Sequence, residues 1–405
     1  MIGTSGGTLP NRGCQTKQNQ ARRRNAVFCV PSRIILNERG TSFFTAHDRP
    51  LHRFETADGE RQFGFHLERA GYSWLKELIL NSYLKKIEVQ VKDAAASRSH
   101  LEDVVKLVFF SMFRHRINTS ILGYIYDSPM IRAWNRGNPK KSIGPGLKIP
   151  EGPLVNLLNS RIPGGLEELK AELYHEVVRT LPAGHQDDSM DKRHFIAEVV
   201  SRINPLILFV LAGSGGADKF MLMQNISRGI LEFIHRLDIV NLAALLTIEL
   251  VSAAERSALV RMLEDAENVT GILEDPGRRK SVMEEKRFRG STVVAAIPAD
   301  IPQENRRLRF RISVYNDGAD ADAERKLMED FTVRHFTFKD GLDLEEFFKT
   351  PRSRRENSVY EDSGLCFNYL NTLRDQCRKH KILMDAAIKN SHSGKSVVTS
   401  LWFGF

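Results

Sequence analysis

Apolar residues recur every three or four positions over much of the first two-thirds of the chain. Trp74, Leu75, Leu78, Ile79 and Leu84 keep this spacing, as do Leu101, Val104, Val105, Leu107, Val108 and Met112. Such a period puts the residues on one face of an α-helix, so a mainly helical region is expected over 61–238. Inside it, the Gly/Pro-rich stretch Asn138 to Gly152 reads as a loop, and helices are expected at about 164–181 and 192–211. Gly213-Ser214-Gly215-Gly216 then interrupts the chain before Phe220 to Leu237 resumes the period. From Ile239 the pattern changes. A helix over about 239–263 and a charged stretch lead to a strand at Ser291–Ile297. A second strand alternates Leu308, Phe310, Ile312 and Val314 with Arg309, Arg311, Ser313 and Tyr315, and ends in the turn residues Asn316-Asp317-Gly318. The apolar stripe Cys366, Phe367, Tyr369, Leu370, Leu373 and Cys377 predicts a helix over about Gly364–Lys379, followed by strands at Ile382–Ile388 and Val397–Phe405. Helices layered on one face of a mixed sheet predict an α+β domain over 239–405.

Residues 1–60 lack sustained periodicity and are rich in Gly, Asn, Gln and Arg, so they are expected to be a disordered extension, or sequence translated from a start codon placed too early. They hold nine Lys/Arg against five Asp/Glu, a net of +4 within the chain's +9. Arg22-Arg23-Arg24 offers an electrostatic contact to nucleic acid or anionic lipid. No stripe of Arg/Lys interleaved with aromatics is read along the chain, which ranks nucleic acid last among the expected partners. No apolar stretch is read as approaching the roughly 20 residues of a membrane-spanning helix. Leu206 to Ala212 is the longest candidate. With no basic-then-apolar leader either, a cytoplasmic location is expected. Four cysteines are too few for a disulfide framework and none has zinc-ligand spacing; Cys366 and Cys377 are expected simply to pack.

Two glycine-rich segments invite a phosphate-loop reading, which needs Gly-x-x-x-x-Gly-Lys and then Ser or Thr. Lys219 stands between Asp218 and Phe220, and Ser393-Gly394-Lys395-Ser396 has Lys389 where the first glycine belongs. Both are turns.

Three further motifs lie in order on the expected elements. Ile248-Glu249-Leu250-Val251-Ser252-Ala253-Ala254 sits on a helix, Ile312-Ser313-Val314-Tyr315-Asn316-Asp317-Gly318 ends a strand, and Ser363-Gly364-Leu365 opens a helix. From about residue 239 onward this order resembles the GHKL ATPase domain of sensor histidine kinases, gyrases and related chaperones. The resemblance implies ATP and Mg²⁺ as ligands, Glu249 as the activating carboxylate, and Asn316, Gly318 and Gly364 at the nucleotide.

The departures from the family pattern point away from catalysis. The Mg²⁺-ligand position falls on Ala253, whose methyl offers no oxygen to a cation that demands near-octahedral oxygen ligation. Asn316 replaces the family's adenine-binding Asp, and Asp320 replaces a glycine. Around Gly364, Asp362 and Cys366 stand in for glycines, and Glu361 and Asp362 would repel phosphate. The charged segment 264–290 is longer than the family usually shows. A phospho-accepting histidine on an upstream helix would have to be His235, which Arg236 follows where the family has an acidic residue. The expectation is therefore a catalytically silent regulatory or scaffolding protein with no cofactor, contacting a protein partner or a second copy through its helical region. The alternatives are a divergent active ATPase or histidine-kinase-like enzyme that keeps ATP and Mg²⁺, and a nucleic-acid-binding protein.

Overall fold

The computed structural model describes residues 27–404 apart from 29–31, 68–69, 72–74, 76–77, 80–82, 146–150, 162–164, 182–187, 264–270, 273–274, 286–289, 298–308, 318–360 and 391–395. Two short strands, β1 (Val27–Phe28) and β5 (Ala70–Gly71), pair with each other. Eight strands form the main sheet: β2 (Ser32–Leu36), β3 (His52–Glu55), β4 (Arg61–Leu67), β6 (Leu84–Val91), β7 (Ser291–Ala296), β8 (Arg309–Asp317), β9 (Leu383–Asn390) and β10 (Ser396–Gly404). Their order across the sheet is β3-β4-β2-β6-β7-β8-β10-β9.

The α+β class holds, and three expectations are corrected. The described ladders are all antiparallel, so the sheet is not mixed. Strands β2, β3, β4 and β6 occupy positions where a disordered extension and helices were expected. The sheet also runs through the boundary drawn at residue 238, because β6 pairs directly with β7. The physical reason lies in β6 itself. Ile87, Val89 and Val91 face the helices and are buried, while Lys86 and Glu88 alternate with them and are buried on the other face. Lys86-Ile87-Glu88-Val89-Gln90-Val91 does alternate as a strand, but it lies inside a region read as helical, and because its charged residues are buried too their polarity does not mark an exposed face. Leu84, taken as the last residue of a helical run, is the first residue of β6. Residues 1–26, including Arg22 to Arg24, lie outside the described residues.

The helices are α1 (Glu38–Ala46), α2 (Ala94–Tyr126), α3 (Pro129–Gly137), α4 (Glu151–Arg161), α5 (Gly165–Arg179), α6 (Asp188–Ser201), α7 (Pro205–Gly213), α8 (Gly216–Ile234), α9 (Leu237–Met262), α10 (Pro276–Glu285) and α11 (Glu361–Lys379). Their ends follow local chemistry. Asp93 caps α2 by accepting from the Ala96 N–H at 3.0 Å, and Ser128 precedes Pro129 at the first position of α3. The helix expected over 192–211 is two helices, because Pro205 has no N–H to continue the ladder and Asn204 instead caps α7 through the Leu206 N–H.

Helix α2 is the spine of the core. Its Phe109 ring stands edge-on to Phe310 of β8 at 4.7 Å and to Phe403 of β10 at 4.9 Å. Helix α9 packs against α2, against α11 and over β7 and β8. The run Gly216–Val260, across α8 and α9, is long and apolar enough to span a membrane, contrary to the expectation of no such segment. In this fold 61% of its most apolar window is buried, which is also how the core helix of a globular domain behaves. Cys377 packs inside as expected, with its thiol pushed up to about 12 by burial.

Candidate functional site

The motif-bearing elements are neighbours in the fold. Helix α9 carries Glu249 and Ala253, β8 carries Asn316, and α11 carries Gly364 as its fourth residue; α9 touches both of the other elements. Glu249 is half-buried. Ala253, one turn later, is partly buried and packs against the apolar core. Asn316 is buried at 4% exposure, opposite Ser291 on β7 and Val397 on β10. Gly318 and Asp320 lie outside the described residues, so the structure brings together three of the four sequence-derived site positions at the level of their elements. His235 is exposed at the C-terminal cap of α8.

A carboxylate that the sequence reading passed over is the buried one on α9. Glu255 accepts the Ala94 N–H at 2.6 Å, at the first turn of α2, and lies 3.6 Å from the Arg279 guanidinium of α10. Burial pushes its carboxyl up, against the pull of that N–H and of Arg279. A negative charge at a helix N-terminus meets the positive end of the helix dipole, so Glu255 fastens α2 to α9.

The opposite face of the sheet holds a second cluster. Strands β3 and β4 are joined by the five residues Thr56 to Glu60, closed by the Gly59 N–H to Thr56 O at 2.8 Å and the Thr56 N–H to Glu60 O at 2.9 Å. Gly59 has φ +82°, the left-handed residue that such a loop requires and that glycine adopts freely. This tip folds back over the sheet, where Ala57 packs on Val294, Tyr315 and Val398. Beneath it the Glu88 carboxylate accepts the Ala57 N–H at 2.9 Å, and its Oε2 lies 3.8 Å from Arg33. Lys86 donates to Asp58 and, at 3.1 Å, to Glu60. Arg311 approaches Asp58 at 3.9 Å. Ser313 and Ser400, opposed in the β8–β10 ladder and fully buried, share a 2.8 Å hydrogen bond. Burial, and then the charge of Asp58, pushes the Tyr315 hydroxyl up to about 12. The sequence did carry a signal for this hairpin, Asp58-Gly59 between His52–Glu55 and Arg61–Leu67, which was obscured by reading residues 1–60 as an extension and the chain from 61 onward as helical.

The two carboxylate environments give opposite pH dependences. For Glu88, burial raises the carboxyl above its ordinary 4.5, with the Ala57 N–H and Arg33 opposing. The folded chain therefore binds this proton more tightly than the unfolded chain, and the contribution falls as pH rises from 4.5 through the raised value. Asp58 runs the other way. Burial raises it, but the hydrogen bonds from Lys86 and Thr56 with the Lys86 charge prevail and hold it low. The hydrogen bond from Lys86 holds Glu60 low as well. Those two contributions are present above the ordinary carboxylate range and are lost as pH falls through the lowered values. Replacing Glu88 with Gln is expected to flatten the decline in denaturation midpoint above pH 4.5 while leaving the acid limb intact. A Glu88→Gln protein with the wild-type slope above that pH would remove Glu88 from this account.

An antiparallel sheet with helices stacked on one face and a charged hairpin latched to the other defines an α+β protein with two polar clusters. Residues 23–405 match the family described as a family of unknown function, DUF8084, and the chain belongs to it. It is also 19% identical over 400 residues to an uncharacterized protein of Treponema pallidum (strain Nichols), covering 95% of this chain and 100% of that protein. No solved structure matches the chain.

Proposed function

We propose that the protein is a catalytically silent regulatory or scaffolding protein of the cell interior, built on a GHKL ATPase-like layer, whose helical region contacts a partner or a second copy. One observation carries the reading: at the position aligned with the family's Mg²⁺ ligand, Ala253 packs a methyl group against the apolar core. A group with no oxygen donor does not fit the cation, and without the cation a phosphoryl transfer lacks its main electrostatic stabiliser. Among the described residues no group of three or more His, Cys, Asp or Glu side chains is close enough to hold a metal ion in its place. Asn316 retains a carbonyl acceptor, so the adenine-binding role that the resemblance implies is weakened rather than lost.

Titration calorimetry with ATP, with and without Mg²⁺, tests the proposal. The expected result is no heat of binding, or weak binding that Mg²⁺ leaves unchanged. Micromolar affinity that requires Mg²⁺ and disappears in Glu249→Ala would replace the silent reading with a divergent active ATPase.

A further inference from the structure

The end of the helical bundle remote from the sheet carries a patch that neither polar cluster uses. Helices α2 and α8 run antiparallel there. The Phe113 and Phe233 rings meet at 5.3 Å, and farther along, Gly229 faces the Ile121 side chain. Continuing that pairing brings the start of α8 beside the end of α2, and the end of α7 joins them, since Gly213 abuts Met130 of α3. Four large apolar side chains are exposed on this end: Tyr124 at 51%, Trp134 at 47%, Phe220 at 54% and Met221 at 55%. They include the three most exposed large apolar residues among those described. Such side chains exposed singly are ordinary; it is their gathering at one end of the bundle, beside a set of cations, that points to a contact site.

The same end is basic. Arg132, Arg136, Lys140 and Lys141 are exposed on α3 and the turn after it; Asp127 and Asp218 are exposed acids nearby, and Glu172 of α5 pairs with Lys219 beside Phe220 at 2.8 Å. Arg132 lies 3.8 Å from Asp127. A shallow, open depression on α3 is lined by Pro129, Arg132, Asn135 and Arg136, and its two guanidinium groups suit phosphate oxygens. The segment is held in shape. The Trp134 indole N–H donates to Lys141 O at 3.1 Å, and the Asn135 side-chain amide donates to Ile143 O at 2.8 Å and accepts the Ile143 N–H at 2.7 Å. Arg132-Ala133-Trp134-Asn135-Arg136 with Lys140-Lys141 is thus a short interleaving of cations and an aromatic residue that a search for longer stripes passes over.

From this juxtaposition we infer that the α3 end of the bundle docks on an anionic lipid surface. Trp and Tyr suit the headgroup zone because each joins an apolar ring to a polar atom, Phe and Met supply apolar insertion, and the cations meet the lipid phosphates. Apolar and basic side chains on one end match such a surface better than a nucleic-acid backbone, which leaves Phe220 and Met221 without a role.

Co-sedimentation of the full-length protein with vesicles tests this. Retention is expected on phosphatidylcholine vesicles containing phosphatidylserine, little on phosphatidylcholine alone, and a decline with added salt. Reversing Arg132, Arg136, Lys140 and Lys141 together to Glu should lower partitioning about a hundredfold or more, since each cation near an anionic leaflet contributes several-fold. Trp134→Ala with Phe220→Ala should lower it at low salt while leaving the circular dichroism spectrum unchanged. Four results would overturn the inference: no retention; retention unaltered by the charge reversals, which assigns it to the basic N-terminal residues; tighter binding to a single-stranded oligonucleotide than to vesicles; or light scattering showing the patch covered by a second copy.

Discussion

Lys86→Met is expected to lower the unfolding free energy by about 3 kcal/mol, read from the denaturant midpoint. The ammonium is almost fully buried, its side chain 4% exposed, and it partners Asp58 and Glu60 on the hairpin tip. Methionine fills the same volume, so packing contributes little to the loss. What is lost is the counter-charge. Breaking a buried pair by removing one partner typically costs about 3–5 kcal/mol, because the remaining ion is left uncompensated in a low dielectric. The lower end applies here, since Asp58 keeps Arg311 at 3.9 Å, Glu60 keeps Lys85 at 3.3 Å, and the two carboxylate side chains, 21% and 52% exposed, are screened in part by water. Removing Asp58 as well, in Lys86→Met with Asp58→Asn, should recover part of the loss. If the double variant is the sum of the two singles, the pair is not coupled and the latch does not hold the hairpin as described.

Phe109→Ala is expected to cost about 3–5 kcal/mol, the usual range for truncating a fully buried phenylalanine. Phe109 has 0% exposure and contacts rings on three elements: Phe310 on β8, Phe403 on β10 and Phe113 within its own helix, whose centroid is 5.9 Å away. It is where a helix from the first third of the chain meets strands from the last quarter. The loss should appear at once in far-ultraviolet circular dichroism and in tryptophan fluorescence, in one transition. Two separated transitions would show that the bundle and the sheet unfold independently, which would argue against a shared core.

The C-terminal elements were legible to within a few residues because each has a strong local signal. Phe310, Ile312 and Val314 alternate along β8, and Leu370, Leu373 and Cys377 repeat along α11 at helical spacing. The first ninety residues were not legible, for reasons specific to them. Strand β2 is five residues of nearly continuous burial, Ser32 to Leu36, too short to show a period. In β6 the buried charges Lys86 and Glu88 serve the hairpin latch, so polarity there does not mark the exposed face. The candidate site was legible as motifs but not as chemistry. Glu249 drew notice through its motif, yet the carboxylate that α9 buries is Glu255, whose partners Ala94 and Arg279 are distant in sequence or outside the motif. The Glu88–Ala57 contact spans 31 positions, and no local pattern encodes it.

The pairing of β6 with β7 has a kinetic consequence. Val91 meets Ser291 and Lys86 meets Ala296, partners 200 and 210 positions apart, in the middle of the sheet rather than at its edge. Gly290, at φ +77°, sets the entry to that ladder, where any Cβ would sit 2.1 Å from Val91 O. Such long closures are entropically expensive and slow the search for the native topology. Until the ribosome has released β7, a nascent chain presents β6 as a bare edge with unpaired amides and carbonyls, a template for intermolecular pairing. Premature termination between α2 and β7 would therefore leave an aggregation-prone fragment rather than a smaller working domain.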